Sequence, residues 1–190
     1  MRKPANYDTT KVGGDYTPVT PGGHHLIIKK VEETKSKVGK DMIKVYFDMA
    51  ANDTQPEYCM NEFKNDVRPD KKWPRVGTAY IVTEDSEGNC SRSFKTFTTS
   101  FERSNNCEMK WDGVWGDQFI NKKIGGVFGR VENEYNGTRT MRTEMRWFCS
   151  DDKVEEATVP AEKKLDSVAT PNDGFMNIPA NSNEMVPWGN

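Results

Sequence analysis

The stretch "KIGGVFGRVENEYNGTRTMRTEMRWFC", residues 123–149, decides the fold. Two runs rich in valine, threonine and aromatic residues flank the pair Asn136-Gly137. A two-residue hairpin turn needs positive φ at both central positions, which asparagine and glycine tolerate best. The spacing therefore predicts an antiparallel pair, strand four over 123–135 and strand five over 139–149. Three glycines, Gly125, Gly126 and Gly129, crowd strand four, as happens where a strand bends sharply or another backbone approaches closely.

Toward the N-terminus the period changes. In "RSFKTFTTSFERSN" (92–105) Phe94, Phe97 and Phe101 fall at i, i+3 and i+7, which places three rings on one face of a helix, with Ser91 or Ser93 available as its cap. "WGDQFINK" holds a second short helical turn. Further upstream, "HLIIKKVEET" (25–34) and "DMIKVYFDMA" (41–50) read as strands one and two, joined by "KSKVGK" turning at Gly39. "VGTAYIVTE" (76–84) reads as strand three, ended by the acidic turn "DSEGN". The stretch between strands two and three, with Pro56, Pro69 and Pro74, reads as irregular. Residues 1–23, with three prolines and two Gly-Gly pairs, read as an extended arm laid over the body by Tyr7 and Tyr16.

Five strands with a helix between the third and fourth is the order of the OB-fold, a mainly β, five-stranded Greek-key barrel whose open face binds oligonucleotides or oligosaccharides. After Cys149 the chain loses its aromatics and its periodicity until Phe175. Residues 1–149 are therefore predicted as one nucleic-acid-binding domain, and 150–190 as a disordered acidic tail ending in the hydrophobic "FMNIPANSNEMVPWGN". The whole chain is near neutral, 27 basic against 29 acidic residues. From Ser150 onward eight carboxylates face three lysines, so residues 1–149 keep 24 basic against 21 acidic side chains. A mildly basic body with an acidic tail points to a charged partner.

Strand alternation selects the side chains that leave the core. In strand two, Ile43, Val45, Phe47 and Met49 share one face and Lys44, Tyr46 and Asp48 the other. In strand five, Met141, Met145 and Trp147 oppose Arg142, Glu144, Arg146 and Phe148; in strand four, Phe128 and Arg130 oppose Val127 and Val131. If the exposed faces converge, Lys44, Tyr46, Phe128, Arg130, Arg142, Arg146 and Phe148 form a cationic surface interleaved with rings. A single strand of nucleic acid needs both, positive charge for its backbone and flat rings for its unstacked bases, each stacking contact being worth about 1–3 kcal/mol. Burial of Tyr46, Phe128 and Phe148, or scattering of the arginines around the barrel, removes that cradle. Two loops add indoles beside lysines, "KKWP" with Lys72 and Trp73, and "KWDGVW" with Trp111; Lys122 and Lys123 precede strand four where phosphate contact is easy. Trp115 reads as part of a hydrophobic lid.

Enzyme signatures are sparse. His24 and His25 are adjacent at a strand start and point to opposite faces, so they do not serve one metal. Glu84, Asp85 and Glu87 read as a solvated turn, and no phosphate-cradling G-x-x-x-x-G-K-[ST] occurs. The four cysteines stand far apart without a C-x-x-C pair, and no apolar run resembles a signal peptide or membrane span. The reading is a reduced, cytoplasmic, non-enzymatic protein with no cofactor, no metal and no membrane partner.

The stretches "KVEETKSKVGKDMIKVYFDMA" (30–50), "KKWP" (71–74), "FKTFTTSFERSN" (94–105) and "NKKIGGVFG" through "RWFCS" (121–150) resemble a phage and prophage family of Gram-positive bacteria. That family is similar in layout to OB-fold single-stranded DNA-binding proteins with an acidic C-terminal tail. The resemblance implies a bacterial cytoplasm and a role in phage replication or recombination. In the bacterial single-stranded DNA-binding proteins a flexible acidic tail ends in a hydrophobic peptide that docks on replication and repair enzymes. Met185, Val186, Pro187 and Trp188 here resemble that peptide and imply a partner-docking end, although Gly189 and Asn190 follow the ring. The expected function is sequence-tolerant binding of single-stranded DNA by phosphate neutralisation and base stacking. The rival is a phage protein-interaction module using the same face without DNA affinity.

Overall fold

A computed structural model of the chain describes residues 1–5, 7–8 and 17–165. Five antiparallel strands, β1 (Gly22–Lys35), β2 (Asp41–Met49), β3 (Thr78–Val82), β4 (Lys123–Tyr135) and β5 (Thr138–Cys149), form one sheet in the order β3-β2-β1-β4-β5. Two helices accompany it, α1 (Tyr58–Asn65) between β2 and β3 and α2 (Arg92–Asn105) between β3 and β4. The protein is thus mainly β, with β3 and β5 at the two edges of an open sheet.

The inner face of the sheet is apolar because alternate residues point inward. Leu26 and Ile28, then Val45 and Phe47, then Ile124 and Phe128, are buried against Phe97 and Phe101 of α2 and Phe119 of the turn Trp115–Phe119. Phe148 closes this cluster from β5, its ring 5.0 Å from Phe97 and 5.9 Å from Phe47, edge to face. Each such side chain contributes about 1.5–3 kcal/mol by leaving water. Helix α2 starts where the Ser91 hydroxyl accepts the Phe94 amide at 3.1 Å and stops at Asn106, which takes the left-handed conformation.

Helix α1 lies where the sequence suggested irregular chain. Its preceding residue, Glu57, supplies no side-chain cap. The carboxylate of Asp48, at the end of β2, does so instead by accepting the amides of Cys59 at 2.7 Å and Met60 at 3.2 Å. Asp48 is accordingly buried, not exposed beside Lys44 and Tyr46 as alternation suggested. Strand β1 begins earlier than expected, because Gly22 and Gly23 already pair with Phe128 and Val127. The arm is anchored by Val19, which is buried; Tyr7 is exposed, and Tyr16 lies outside the described residues.

The expectation of a disordered tail from residue 150 is corrected over 150–165. Residues 150–165 pack on the outer face of β4: Ser150 and Val154 are buried, and Lys163 joins the edge of β4, accepting the Glu132 amide at 2.8 Å and donating to the Arg130 carbonyl at 3.0 Å. Polar composition hid this segment, whose place depends on a cleared surface rather than on its own periodicity. Glycines clear it. A Cβ on Gly23 would stand 2.2 Å from the Val154 carbonyl oxygen, and one on Gly125 would meet the Val154 side chain and the Ser150 carbonyl. Gly23→Ala therefore has to push this strap off the sheet. The expected result is a loss of about 1–3 kcal/mol in stability, measured as a lower urea midpoint with the slope unchanged.

Candidate nucleic-acid interface

The two edge strands flank a cleft of about 1260 Å³. Lys44 and Tyr46 reach it from β2 and Tyr80 from β3; Met145, Arg146 and Trp147 reach it from β5. The loop before β3 adds Lys71, Lys72, Trp73 and Arg75, and the first turn of α2 adds Arg92 and Ser93. Six cationic side chains thus share one cavity with a single lining carboxylate among the described residues, Glu144. The start of α2 brings the positive end of a fourteen-residue helix to the same wall.

The rings differ in freedom. Tyr80 and Trp147 are 60% and 45% exposed, enough to offer a face to a ligand. Tyr46 is half-buried, and its hydroxyl donates to Glu32 at 2.9 Å. The Lys44 ammonium sits 4.5 Å from the Tyr46 ring centre and 5.5 Å from that of Tyr80, a cation held between two π faces. The hydrogen bond to Tyr46 is the main cause that holds the Lys44 amine above its ordinary pKa, so it stays charged at neutral pH. Trp73 is partly a structural lid: its indole N–H is directed at the Gly77 carbonyl at 3.0 Å and the Phe47 carbonyl at 3.2 Å, and its ring leans on Phe63. Arg146 presents a buried guanidinium nitrogen, Nη1, with no hydrogen-bond partner among the described residues. Leaving such a donor unmade costs about 1–3 kcal/mol, which an anionic ligand would recover.

A bulge explains which aromatic residue faces out. The β4–β5 ladder pairs Val127 with Trp147 and then Phe128 with Met145, so Arg146 is an extra residue on β5. Beyond it the parity of the strand reverses. Met145 and Phe148 both pack on the core, whereas Trp147, assigned by strict alternation to the side of Met145, points outward.

Of the side chains selected from sequence, Lys44, Tyr46, Lys72, Trp73 and Arg146 come together in the cleft. Two of the expected stacking rings are corrections. Phe128 is fully buried beneath the sheet and Phe148, although it borders the cleft, is 4% exposed, so neither can stack on a base. The arginines are partly dispersed: Arg142 lines a neighbouring cleft, and Arg130, which lines neither cleft, is exposed and pairs with Glu162 at 3.6 Å. Lys122 and Lys123 are exposed at the start of β4 and Trp111 is exposed against Phe94 and Trp115; none of the three lines either cleft. Met185, Val186, Pro187 and Trp188 lie outside the described residues. The cradle drawn from alternation is therefore not formed as expected; the cleft instead gathers Tyr80 and Trp147 as its exposed rings and Lys71, Arg75 and Arg92 as further charge. Nothing local in the hairpin marked the bulge: its extra residue, Arg146, lies on β5, while the β4 glycines leave room for Leu26, Val154 and Pro160.

Both histidines pair with carboxylates. His24 places Nδ1 3.0 Å from Asp53, and His25 places Nδ1 2.6 Å from Asp151 of the strap. Among the described residues no group of three His, Cys, Asp or Glu side chains is placed to hold a metal ion, and no helix is long and apolar enough to cross a membrane. All four cysteines are unpaired; burial pushes the Cys149 thiol up to about 11 and Cys59 higher still, so both stay protonated. The sequence matches no protein-family model and no curated protein.

Proposed function

We propose that this chain is a non-catalytic, sequence-tolerant single-stranded DNA-binding protein on an OB-fold, acting in phage replication or recombination in the bacterial cytoplasm. The fold reading is supported by strand order: β1 pairs with both β2 and β4, and the opening lies between β3 and β5, as in a partly open five-stranded barrel. The observation that carries the functional reading is the cleft itself, where six cations and the free rings of Tyr80 and Trp147 stand together. Cations alone would suit duplex DNA equally; exposed rings have value only where bases are unstacked. The phage setting, and docking of partner enzymes by Met185–Trp188, rest on the resemblance described above.

Titration of tryptophan fluorescence with oligothymidylate at several salt concentrations tests this reading. Quenching is expected, with log K falling against log[salt] by about 0.7 per phosphate contacted. The triple variant Lys44→Ala/Arg92→Ala/Arg146→Ala should flatten that slope by about 2. No quenching at low salt, or a slope the triple variant leaves untouched, rejects the proposal. A second reading has its own support, because unpaired strand edges at β3 and β5 suit an added peptide strand. A protein-interaction module of that kind would leave the oligonucleotide titration flat.

A further inference from the structure

Beside the first cleft lies a second, of about 390 Å³, which shares Arg75, Val76 and Glu144 with it and adds Tyr58, Met141 and Arg142. The two form one groove along β5. At their junction the Arg75 guanidinium meets the Glu144 carboxylate at 3.0 Å, bridging from the turn Arg75–Gly77 to β5. We propose that the bound strand continues from the first cleft into the second, and that the Arg75–Glu144 ion pair is the barrier it must open. The inference rests on the nucleic-acid reading of the first cleft.

The chemistry of the junction supports both halves. The second cleft offers a cation (Arg142), a ring (Tyr58) and an exposed apolar side chain (Met141), with Glu62 as a second carboxylate besides Glu144. Glu144 is partly buried, and Asn133 also donates to it at 3.3 Å, so it is held in place, whereas Arg75 is largely exposed and free to swing. A phosphate arriving there gains Arg75 only by taking it from Glu144, and must then sit beside a carboxylate. Glu144 thus limits affinity, and its removal should tighten binding.

The test compares oligothymidylates at the two ends of the range an OB-fold spans, about 4 and about 16 nucleotides. Glu144→Gln keeps the shape and the acceptor for Asn133 while removing the charge. It should tighten the long strand about two- to fivefold at low salt, and steepen its salt slope by about 0.7, one more phosphate contact. The gain should shrink when Arg75 is already alanine. Arg142→Ala, an exposed change, should weaken the long strand and leave the short one unaffected. If both strands bind but Glu144→Gln changes neither affinity nor slope, or Arg142→Ala weakens both alike, the extended path is wrong while the first cleft stands. If neither strand binds, both readings fall.

Discussion

Replacing Tyr80 and Trp147 together by alanine should weaken single-stranded DNA binding by about 2–6 kcal/mol, a factor of about 30 or more in Kd. Each base–ring contact is worth about 1–3 kcal/mol by alanine substitution, and these are the two most exposed rings lining the cleft. Both stand on edge strands, one on β3 and one on β5, so a base between the walls can meet either. Neither belongs to the buried core, so the variant should unfold at nearly the wild-type temperature. Its charges are intact, so the salt slope should be preserved while the absolute affinity falls, the opposite of what cation removal does. Trp73 is the wrong residue for this experiment, because its indole N–H holds the loop to the backbone of Phe47 and Gly77. Undiminished affinity in the double variant would remove base stacking from the proposed mechanism.

The second large effect concerns stability. His24→Ala should cost about 3–5 kcal/mol, because it leaves the Asp53 carboxylate buried without its cation. The His24 ring is 1% exposed and edge-on to Phe128. Its Nδ1 faces an Asp53 oxygen at 3.0 Å and its Nε2 faces the Thr20 carbonyl at 2.8 Å. Both partners accept, which favours a hydrogen on each nitrogen and a positive charge on the ring, with the Thr20 hydroxyl a further neighbour of Nε2 at 3.2 Å. Burial works against that charge, but the hydrogen bond to Asp53, the Thr20 carbonyl and the Asp53 charge outweigh it and raise the His24 pKa. His25 is raised too, burial again opposing and Asp151 with Glu155 prevailing. Groups whose folded pKa is raised contribute stability that is complete below the unfolded value, about 6.5, and lost as pH rises through the folded value. Asp53 moves the other way: burial would raise its pKa, but the bond from His24 and the backbone amides lower it, so its contribution is lost only as pH falls toward that depressed value. Urea midpoints should therefore decline from mildly acidic to alkaline pH in the wild type. The decline should be shallower in His24→Ala, whose remaining contribution of this kind comes from His25. A midpoint independent of pH between 6 and 9 would mean that folding shifts neither pKa, and one that rises with pH would mean that the rings are neutral in the folded state.

Both effects depend on structure that sequence reading reached unequally. The five strands and α2 were legible because their information is local: Asn136-Gly137 can make the turn, the rings at 94, 97 and 101 share a helical face, and Ser91 caps it. Lys44, Tyr46, Lys72, Trp73 and Arg146 were legible as a cation-and-ring set for the same reason, being the exposed or loop positions of recognisable elements. Helix α1 was not, since its N-terminal amides are satisfied by Asp48, eleven residues before Cys59 and on another element. Nor were the buried pair of His24 with Asp53 and the half-buried pair of His25 with Asp151, which join residues far apart in the chain.

The chain by itself determined the five strands and α2, because propensity, turn chemistry and hydrophobic period act between residues a few positions apart. Only the tertiary structure decided which rings line the cleft and that residues 150–165 pack on the sheet. A bulge is a property of two strands in register, and one extra residue at Arg146 was enough to turn Trp147 outward while Phe148 turned inward. The strap of 150–165 likewise depends on space left by Gly23 and Gly125 on β1 and β4, and the cleft gathers its charge from β2, β5, α2 and the loop before β3. Such contacts are made between distant parts of the chain, where no local pattern records them.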